Sequence, residues 1–528
     1  MNALLAGFNE IRRWPQELAS ARMAAFLSEY ALSHAEVDAV SADRVDPSCD
    51  ELVSRAWREA TATGTTLDRY LIHNGLVEAD MLYEAFARFL DLPFMAEEFI
   101  VPDGLDGASL LAAGHCPIQD DSGGVRYTVA PTGRIFEGLL HAKASGVKIF
   151  EGSTVVVTTP RIFAQSVRRR YGLYIAHEAN HRMATLAPSL SAEKIFGRPT
   201  ITVIGPIAAL LLLTLAAFPD AWDVISFGML LYPSLPSIQF KALAIVAAGV
   251  YEPKFSEISD LDLPTYSVLV PIYREARIVP LLIERLKRID YPKAKLEIKM
   301  IVEIDDHETQ NALIREAMPP FFEIIVCPSG LPRTKPRALN IGLAYAKGDY
   351  IVVYDAEDEP DPDQLRKAAA HFALGDPKLG CVQARLAIDN GADSWIARMF
   401  AFEYAGLFDG LLLGMSITRQ PIPLGGTSNH FRRSLLHNCL GWDAWNVTED
   451  ADLGLRLAGL GYHCIVMDST TWEEAPVDWI AWYNQRTRWL KGWMQTAFVV
   501  ARNGKRWRRS VSALTRFEIA VISTSSVI

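Results

Sequence analysis

The chain has few cysteines and no paired cysteine motif. Six cysteines are scattered over 528 residues without a C-x-x-C pair. This distribution predicts neither a zinc site nor a disulfide framework and is typical of a reducing compartment. The amino-terminal stretch MNALLAGFNEIRRWPQEL also lacks the long apolar run of a signal peptide. The cysteines are Cys49, Cys116, Cys327, Cys381, Cys439 and Cys464.

An excess of basic residues is also missing. The formal net charge is −10 and the pI about 5.7, which excludes a scaffold that binds nucleic acid by charge. Half of the residues are hydrophobic and the mean hydropathy is +0.11, values that suit a soluble body with a few membrane spans. A chain of this length predicts two to four domains.

Residues 1–175 have the pattern of a soluble unit. Apolar residues at helical spacing predict a helix over residues 66–75, ended by Gly75, and a second helix that buries Leu82 and Phe86. Between residues 110 and 172, short apolar runs alternate with helical stretches, which predicts a small α/β unit.

The run LDRYLIHNGLVEADMLYEAFARFLDLPF, followed by VVVTTPRIFAQSVRRRYG, resembles the amino-terminal domain of type II secretion ATPases. In some members that domain binds cyclic di-GMP through paired R-L-G-x-x-L-x-x-x-G motifs. Here Thr66 and Asp68 stand where the motif has Arg and Gly, and Phe89 stands where Gln is expected. The resemblance implies the fold and favours a docking or regulatory module with a protein partner over cyclic di-GMP binding.

Residues 199–250 predict a transmembrane helical hairpin. Residues 200–218 form an uncharged apolar stretch, and residues 224–250 form a second stretch in which Pro233 and Pro236 suggest a kink or a re-entrant start. Basic residues on both flanks place both ends in the cytoplasm, and the localisation expected is a bacterial inner membrane. The alternative is a buried helical hairpin in a soluble protein. The flanking basic residues are Arg168, Arg169, Arg170, Lys194, Arg198 and Lys254.

Residues 260–475 alternate short apolar strands with helices. This pattern predicts an α/β domain with a mostly parallel, twisted sheet that binds ligands at the carboxyl ends of its strands. Residues 476–510 form a basic, Trp-rich amphipathic stretch, and residues 513–528 have the pattern of a further apolar helix at its start.

Acidic residues follow several of the predicted strands. Asp355 and Glu357 leave a strongly apolar strand, where carboxylates would be costly without a cation, and such oxygens suit Mg²⁺ or Mn²⁺. Two adjacent acids, Asp305 and Asp306, end another strand, and one of them would contact a nucleotide; both also fit a solvated turn. The candidate residues that would bind such a nucleotide, as the donor substrate, are Pro271, Tyr273, Glu275, Asp305, Asp306, Lys335 and Asp355.

Thr448-Glu449-Asp450 precedes a helical stretch and has two interpretations. Either the acids occupy the first turn of a helix capped by Thr448, or Asp450, beside Glu449, is a general base. The Trp-rich stretch beyond it, DWIAWYNQRTRWLKGW, fits sugar stacking and also a membrane surface.

Together these elements resemble the family 2 inverting glycosyltransferases, specifically the cellulose-synthase-like membrane enzymes with a Q-x-x-R-W motif, whose sheet is of the GT-A type. The resemblance implies that Asp450 is the base, that Trp489 stacks on the acceptor sugar, and that Gln485 and Arg488 support acceptor and donor diphosphate. It also implies an acceptor-side loop that contains Thr427, Asn429 and His430. The departure is Glu357, where the family usually has Asp.

The function expected is therefore transfer of a sugar, with inversion, from a nucleotide-sugar, a UDP-sugar in particular, to a growing polysaccharide at a membrane. One alternative is transfer of a single sugar to a lipid carrier. A second is a non-catalytic membrane receptor or scaffold that retains the fold.

Overall fold

A computed structural model describes residues 58–119, 124–144, 147, 150, 154–195, 198–218, 222–250, 257–507, 513, 516–519 and 522. The predictions for residues 1–57, and for most of the segment 513–528, lie outside the described residues.

The amino-terminal unit packs helices on a four-stranded sheet with strand order β1-β4-β3-β2. The two predicted helices are present as α1 (Leu67–His73) and α2 (Ala79–Phe89), which bury their apolar faces in one cluster. Asp68, at the position of a motif glycine, accepts a hydrogen bond from the Gly133 amide at 2.9 Å. The other elements are β1 (Phe94–Met95), α3 (Gly107–Ala113), β2 (His115–Gln119), β3 (Val125–Val129), α4 (Arg134–Ala144) and β4 (Val155–Thr158).

Helix α5 (Pro160–Leu186) leads out of this unit. Thr159 caps it by accepting a hydrogen bond from the Ile162 amide at 3.2 Å, and Pro160 occupies its first turn. The boundary expected at residue 175 lies within this helix, and Ile175 is buried in the core of the following domain. The two units therefore share a continuous helix.

Two helices occupy the predicted hairpin, α6 (Arg198–Ala217) and α7 (Trp222–Ala248). Helix α7 runs through Pro233 and Pro236 without a break. On α6, Leu210, Leu212 and Leu213 are each about two-thirds exposed.

One helix in the searched, described part of the chain is long and apolar enough to cross a membrane by length and composition. It spans Trp395–Ile417 and was not singled out from the sequence. It consists of α12 (Trp395–Ala405), a π-helical segment (Gly406–Leu412) and α13 (Leu413–Ile417). Gly414 lies against the backbone of Ala244 in α7, so closely that a methyl group there would collide with the Ala244 carbonyl.

The larger domain confirms the predicted α/β class. Its eight-stranded sheet has the order β7-β6-β5-β8-β11-β10-β12-β9. Strands β7, β6, β5 and β8 are parallel, β10 and β12 are parallel, and β11 and β9 run antiparallel to their neighbours. The strands are β5 (Tyr266–Ile272), β6 (Leu296–Glu303), β7 (Phe322–Cys327), β8 (Tyr350–Val353), β9 (Glu359–Pro360), β10 (Leu379–Ile388), β11 (Asn429–Arg432) and β12 (His463–Glu473).

Helices cover both faces of this sheet, so its central strands are buried on both sides and read as continuous apolar runs. The long amphipathic helix α16 follows the last strand. The helices are α8 (Val279–Lys287), α9 (His307–Arg315), α10 (Lys335–Tyr345), α11 (Gln364–Leu374), α14 (Arg433–Asn438), α15 (Glu449–Gly459) and α16 (Trp479–Trp507).

Candidate active site

The loop after β8 carries the predicted metal ligands. Its backbone is fixed by Asp358, which is fully buried and accepts a hydrogen bond from the Asp355 amide at 2.6 Å. The Thr427 hydroxyl contacts the Asp358 carboxylate and lies 3.1 Å from the Val353 carbonyl oxygen. Thr427, predicted on the acceptor side, therefore holds the acidic loop.

Lys335, at the first position of α10, reaches the same loop. Its Nζ lies 2.5 Å from Asp355 Oδ1 and donates to the Gly426 carbonyl oxygen at 2.7 Å. The charges of Asp355, Glu449 and Asp450 oppose the effect of burial and raise the pKa of the Lys335 ammonium. The Lys335 ammonium thus lies near both the predicted donor-binding residues and the predicted base.

Glu449 and Asp450 begin α15. Thr448 is the N-cap residue and the acids occupy the first turn, as the first interpretation expects, although the Thr448 side chain makes no capping hydrogen bond. A Cβ placed on Gly426 would lie 3.4 Å from Asp450 Oδ2 and 3.9 Å from Lys335 Nζ, so both groups face the same point. Burial raises the pKa of Asp450. Burial and the charge of Asp450 raise the pKa of Glu449 to about 8. The Lys335 ammonium lowers the pKa of both carboxyl groups.

The residues around Asp355 fit a divalent cation held partly by substrate. Burial and the charges of Asp355 and Glu275 raise the pKa of Glu357 to about 7, although the nearby Lys335 ammonium lowers it. A buried oxygen of Asp358 has no hydrogen-bond partner among the described residues. Within the same part of the chain, no group of three or more His, Cys, Asp or Glu side chains could hold a metal ion. Mg²⁺ is commonly bound by one or two carboxylates plus substrate phosphates, and Asp355 and Glu357 fit that arrangement.

The adjacent acids after β6 have different environments. Asp306 caps α9 through the Thr309 amide at 3.2 Å and accepts from the Arg274 amide at 2.5 Å. Asp305 is half-exposed and pairs with Arg333 at 2.6 Å. Asp305 is thus the acid left available to a ligand, and Asp306 shapes the backbone.

Three further donor candidates lie near this turn. Pro271 is the second-last residue of β5, and Tyr273 and Glu275 are exposed just beyond the strand. The Arg274 guanidinium lies 5.0 Å from the Tyr273 ring centroid.

The predicted acceptor side is formed by α12 and α16. Trp489 packs with its ring centroid 5.9 Å from that of Phe400, and Gln485 has a buried side-chain oxygen without a partner among the described residues. Arg486 joins the two helices through a bidentate ion pair with Glu403, at 2.6 and 2.5 Å. Its guanidinium also lies 4.8 Å from the ring centroids of both Phe400 and Trp489.

Arg488 does not share this setting. It is exposed on α16, and its contact with the donor diphosphate stays a prediction.

Two acceptor predictions need correction. His430 is fully buried, with Nδ1 2.8 Å from the Tyr266 hydroxyl and Nε2 3.3 Å from Gln364 Oε1, and burial lowers its pKa to about 3. Asn429 is also buried and donates to the Gly425 carbonyl at 2.5 Å. Both residues lie in β11, whose pairing with β8 and β10 buries them, and they support the loop rather than meet an acceptor.

Other residues of the site were missed. Glu473, the last residue of β12, lies close enough to Asp358 and Asp355 for burial and their charges to raise its pKa; its position at the end of a strand is the signal that could have found it. Tyr404 lies near Glu473, Asp450 and Arg486, all of which affect its pKa. A tyrosine within a helix gave no such signal.

Comparisons with known proteins fit this geometry. Residues 350–525 match the family model "Glycosyl transferase family group 2". The chain is 31% identical over 243 residues to the "Probable glycosyltransferase YdaM" of Bacillus subtilis, covering 44% of this chain and 56% of that protein. It is 28% identical over 246 residues to a beta-monoglucosyldiacylglycerol synthase of Synechocystis, covering 45% and 50%.

The chain thus spans about half the length of these relatives. Among solved structures, the mannosyltransferase PcManGT from Pyrobaculum calidifontis, in complex with GDP-Man and Mn²⁺, is 21% identical. That likeness covers 56% of this chain and 79% of the other, with a TM-score of 0.42.

Proposed function

We propose that the protein is a membrane-bound inverting glycosyltransferase that moves a hexosyl group from a UDP-sugar to the hydroxyl of a growing polysaccharide. The observation that carries the proposal is the meeting of Asp355, Lys335 and Asp450 at Gly426. This arrangement places a cationic group and a carboxylate able to accept a proton within one small space.

The donor would lie at the carboxyl ends of β5, β6 and β8. Asp305 faces the nucleoside, and Asp355 and Glu357 hold Mg²⁺ or Mn²⁺. The cation, when bound, neutralises charge on the diphosphate. Lys335 adds a second positive charge there, because its ammonium already lies between Asp355 and the Gly426 carbonyl.

Asp450 takes the proton of the acceptor hydroxyl. The acceptor oxygen then attacks the anomeric carbon of the donor sugar, and the bond from that carbon to the diphosphate oxygen breaks. The nucleoside diphosphate leaves with the electron pair. A single displacement of this kind inverts the anomeric configuration.

The acceptor would enter between α12 and α16, where Trp489 supplies an aromatic face. A membrane location is supported by the exposed leucines of α6 and by the apolar helix Trp395–Ile417. In this proposal the catalytic domain faces the cytoplasm of a bacterial inner membrane.

A second candidate acceptor is a lipid. The names of the beta-monoglucosyldiacylglycerol synthases, at 27–28% identity, favour it. Product length from a radiolabelled UDP-sugar separates the two acceptors, since addition of single sugars to lipid would contradict the polymer.

The test of the reaction itself is Asp450→Asn in membranes that contain the protein. We expect transfer to fall by about 10²–10⁴-fold, the usual contribution of a general base, while UDP binding is retained. Unchanged transfer in this variant would refute the base assignment, and a parent protein without transfer from any nucleotide-sugar would favour the receptor or scaffold.

A further inference from the structure

The segment that leads into Glu449 and Asp450 is held by one face of α16. Asn446 is fully buried and donates from Nδ2 to the hydroxyl oxygen of Thr496 at 2.9 Å, and Thr496 is itself fully buried. The Asn446 side-chain oxygen Oδ1 accepts from the Thr448 amide at 3.1 Å. A single amide side chain thus connects α16 to the residue directly before the acidic pair.

Gln495 forms hydrogen bonds with the same segment on both sides of Asn446. Its Oε1 accepts from the Val447 amide at 3.1 Å, and its Nε2 donates to the Trp445 carbonyl at 3.2 Å. Because Gln495 is 8% exposed, water cannot easily replace these bonds, and their loss would leave buried backbone groups unpaired.

Gly492 lets the two parts meet. A Cβ at this position would lie 2.5 Å from Thr448 Oγ1 and 2.7 Å from its amide nitrogen. Gly492, Gln495 and Thr496 are spaced i, i+3 and i+4, so they share one helical face. Trp489 lies one turn before Gly492 on the same helix.

We propose that Asn446, Gln495 and Thr496 are positioning residues that set the place of the Asp450 carboxylate relative to the acceptor held by α16. The inference rests on the proposed role of Asp450 as base. Since α16 carries both Trp489 and the contacts to residues 445–448, a shift of this helix moves the acceptor platform and the base together.

The test is Thr496→Val, which keeps the shape of the side chain and removes its hydroxyl. We expect kcat to fall about tenfold or more, because a displacement of about 1 Å near a reacting group costs that order of rate, while the donor KM stays within about twofold. Thr496→Ser should restore the rate. The matched control is Thr487→Val on the exposed side of the same helix, where the hydroxyl donates to the Tyr483 carbonyl at 2.8 Å; it should match the parent.

A purely structural role is separated by a double variant. Thr496→Val should add no further loss in the Asp450→Asn background, because a positioning effect through Asp450 disappears with its carboxylate. Additive losses, or equal rates for Thr496→Val and Thr487→Val with matching thermal unfolding, would overturn the proposal. If Thr496→Val does not fold, Gln495→Glu, which can accept from Val447 but not donate to Trp445, should show the same kcat loss.

A different outcome would refute the proposed reaction. An active Asp450→Asn enzyme refutes the base itself. An inactive Asp450→Asn enzyme together with a fully active Thr496→Val enzyme refutes only the positioning.

Discussion

The acidic loop around Asp355 and the helices around Trp489 border the same site but are held differently. The loop is fixed by the buried Asp358 and Thr427 and lies at the end of a central strand. The helices meet through Arg486 and Glu403, and they expose Trp395, Phe402, Trp479 and Tyr483 to the surroundings. The donor side is thus part of the sheet core, whereas the acceptor side belongs to a surface that suits a membrane.

In the proposed function, this difference assigns two kinds of specificity to two parts of the molecule. Donor recognition would depend on a preformed acidic turn, and acceptor recognition would depend on the faces of two helices. Variants on each side should therefore change different kinetic constants.

The largest effect is expected on the donor side. Asp355→Asn removes a proposed metal ligand and the partner of Lys335, so we expect kcat/KM for the donor to fall about 100-fold or more, with partial rescue by raised Mn²⁺. Asp363→Asn, which removes only a surface ion pair with Lys367, is the control. Equal activity of the two variants in a nucleoside diphosphate release assay would argue against a metal at Asp355.

A smaller effect is expected on the acceptor side. Trp489→Ala removes an aromatic face, and we expect the acceptor KM to rise roughly tenfold, the order that stacking contributes, while donor hydrolysis without acceptor is unchanged. Leu490→Ala alters a neighbouring, half-exposed residue and should leave both constants near those of the parent. Parallel loss of hydrolysis and transfer in Trp489→Ala would contradict the division into two sides.

The smallest effect concerns the pH dependence and Lys335, whose ammonium lies near both the acidic loop and the acidic pair. Lys335 lowers the pKa of Asp450 and Glu449. A base with a raised pKa is protonated and inactive at low pH, so Lys335→Met should move the acidic limb of the kcat profile to higher pH. Its activity relative to the parent should then be lower at pH 6 than at pH 9.

Arg333→Met is the matched control for this profile. It removes a cation that pairs with Asp305, away from the base, and should leave the limb in place. A limb that does not move in Lys335→Met would mean that the lysine acts on the donor alone.

The sequence predicted the parts of the site that end apolar strands. Asp355 and Glu357 were identifiable because acids directly after a buried strand stand out, whereas the Glu449-Asp450 pair was identifiable from its position at the start of a helical stretch. It could not separate Asp305 from Asp306, since the choice depends on which carboxylate caps α9. His430 was misassigned because its burial depends on how β11 pairs with its neighbours, which the local pattern does not specify.

The helical half of the site was less predictable. The ion pair of Arg486 with Glu403 joins residues 83 positions apart, and no periodic pattern links them. The stretch Trp395–Ile417 combines exposed aromatics with a π-helical segment, so its apolar residues do not follow one regular helical face. These residues are brought together by the packing of α12 on α16.

Helix α5 belongs to two bodies at once. Its first half places Phe163 and Val167 in the core of the amino-terminal unit, and its second half places Ile175 and Ala176 in the core of the catalytic sheet. The amino-terminal unit is therefore not an exchangeable cassette. A chimera between relatives would keep both cores intact only if it exchanged the chain on one side of the whole helix.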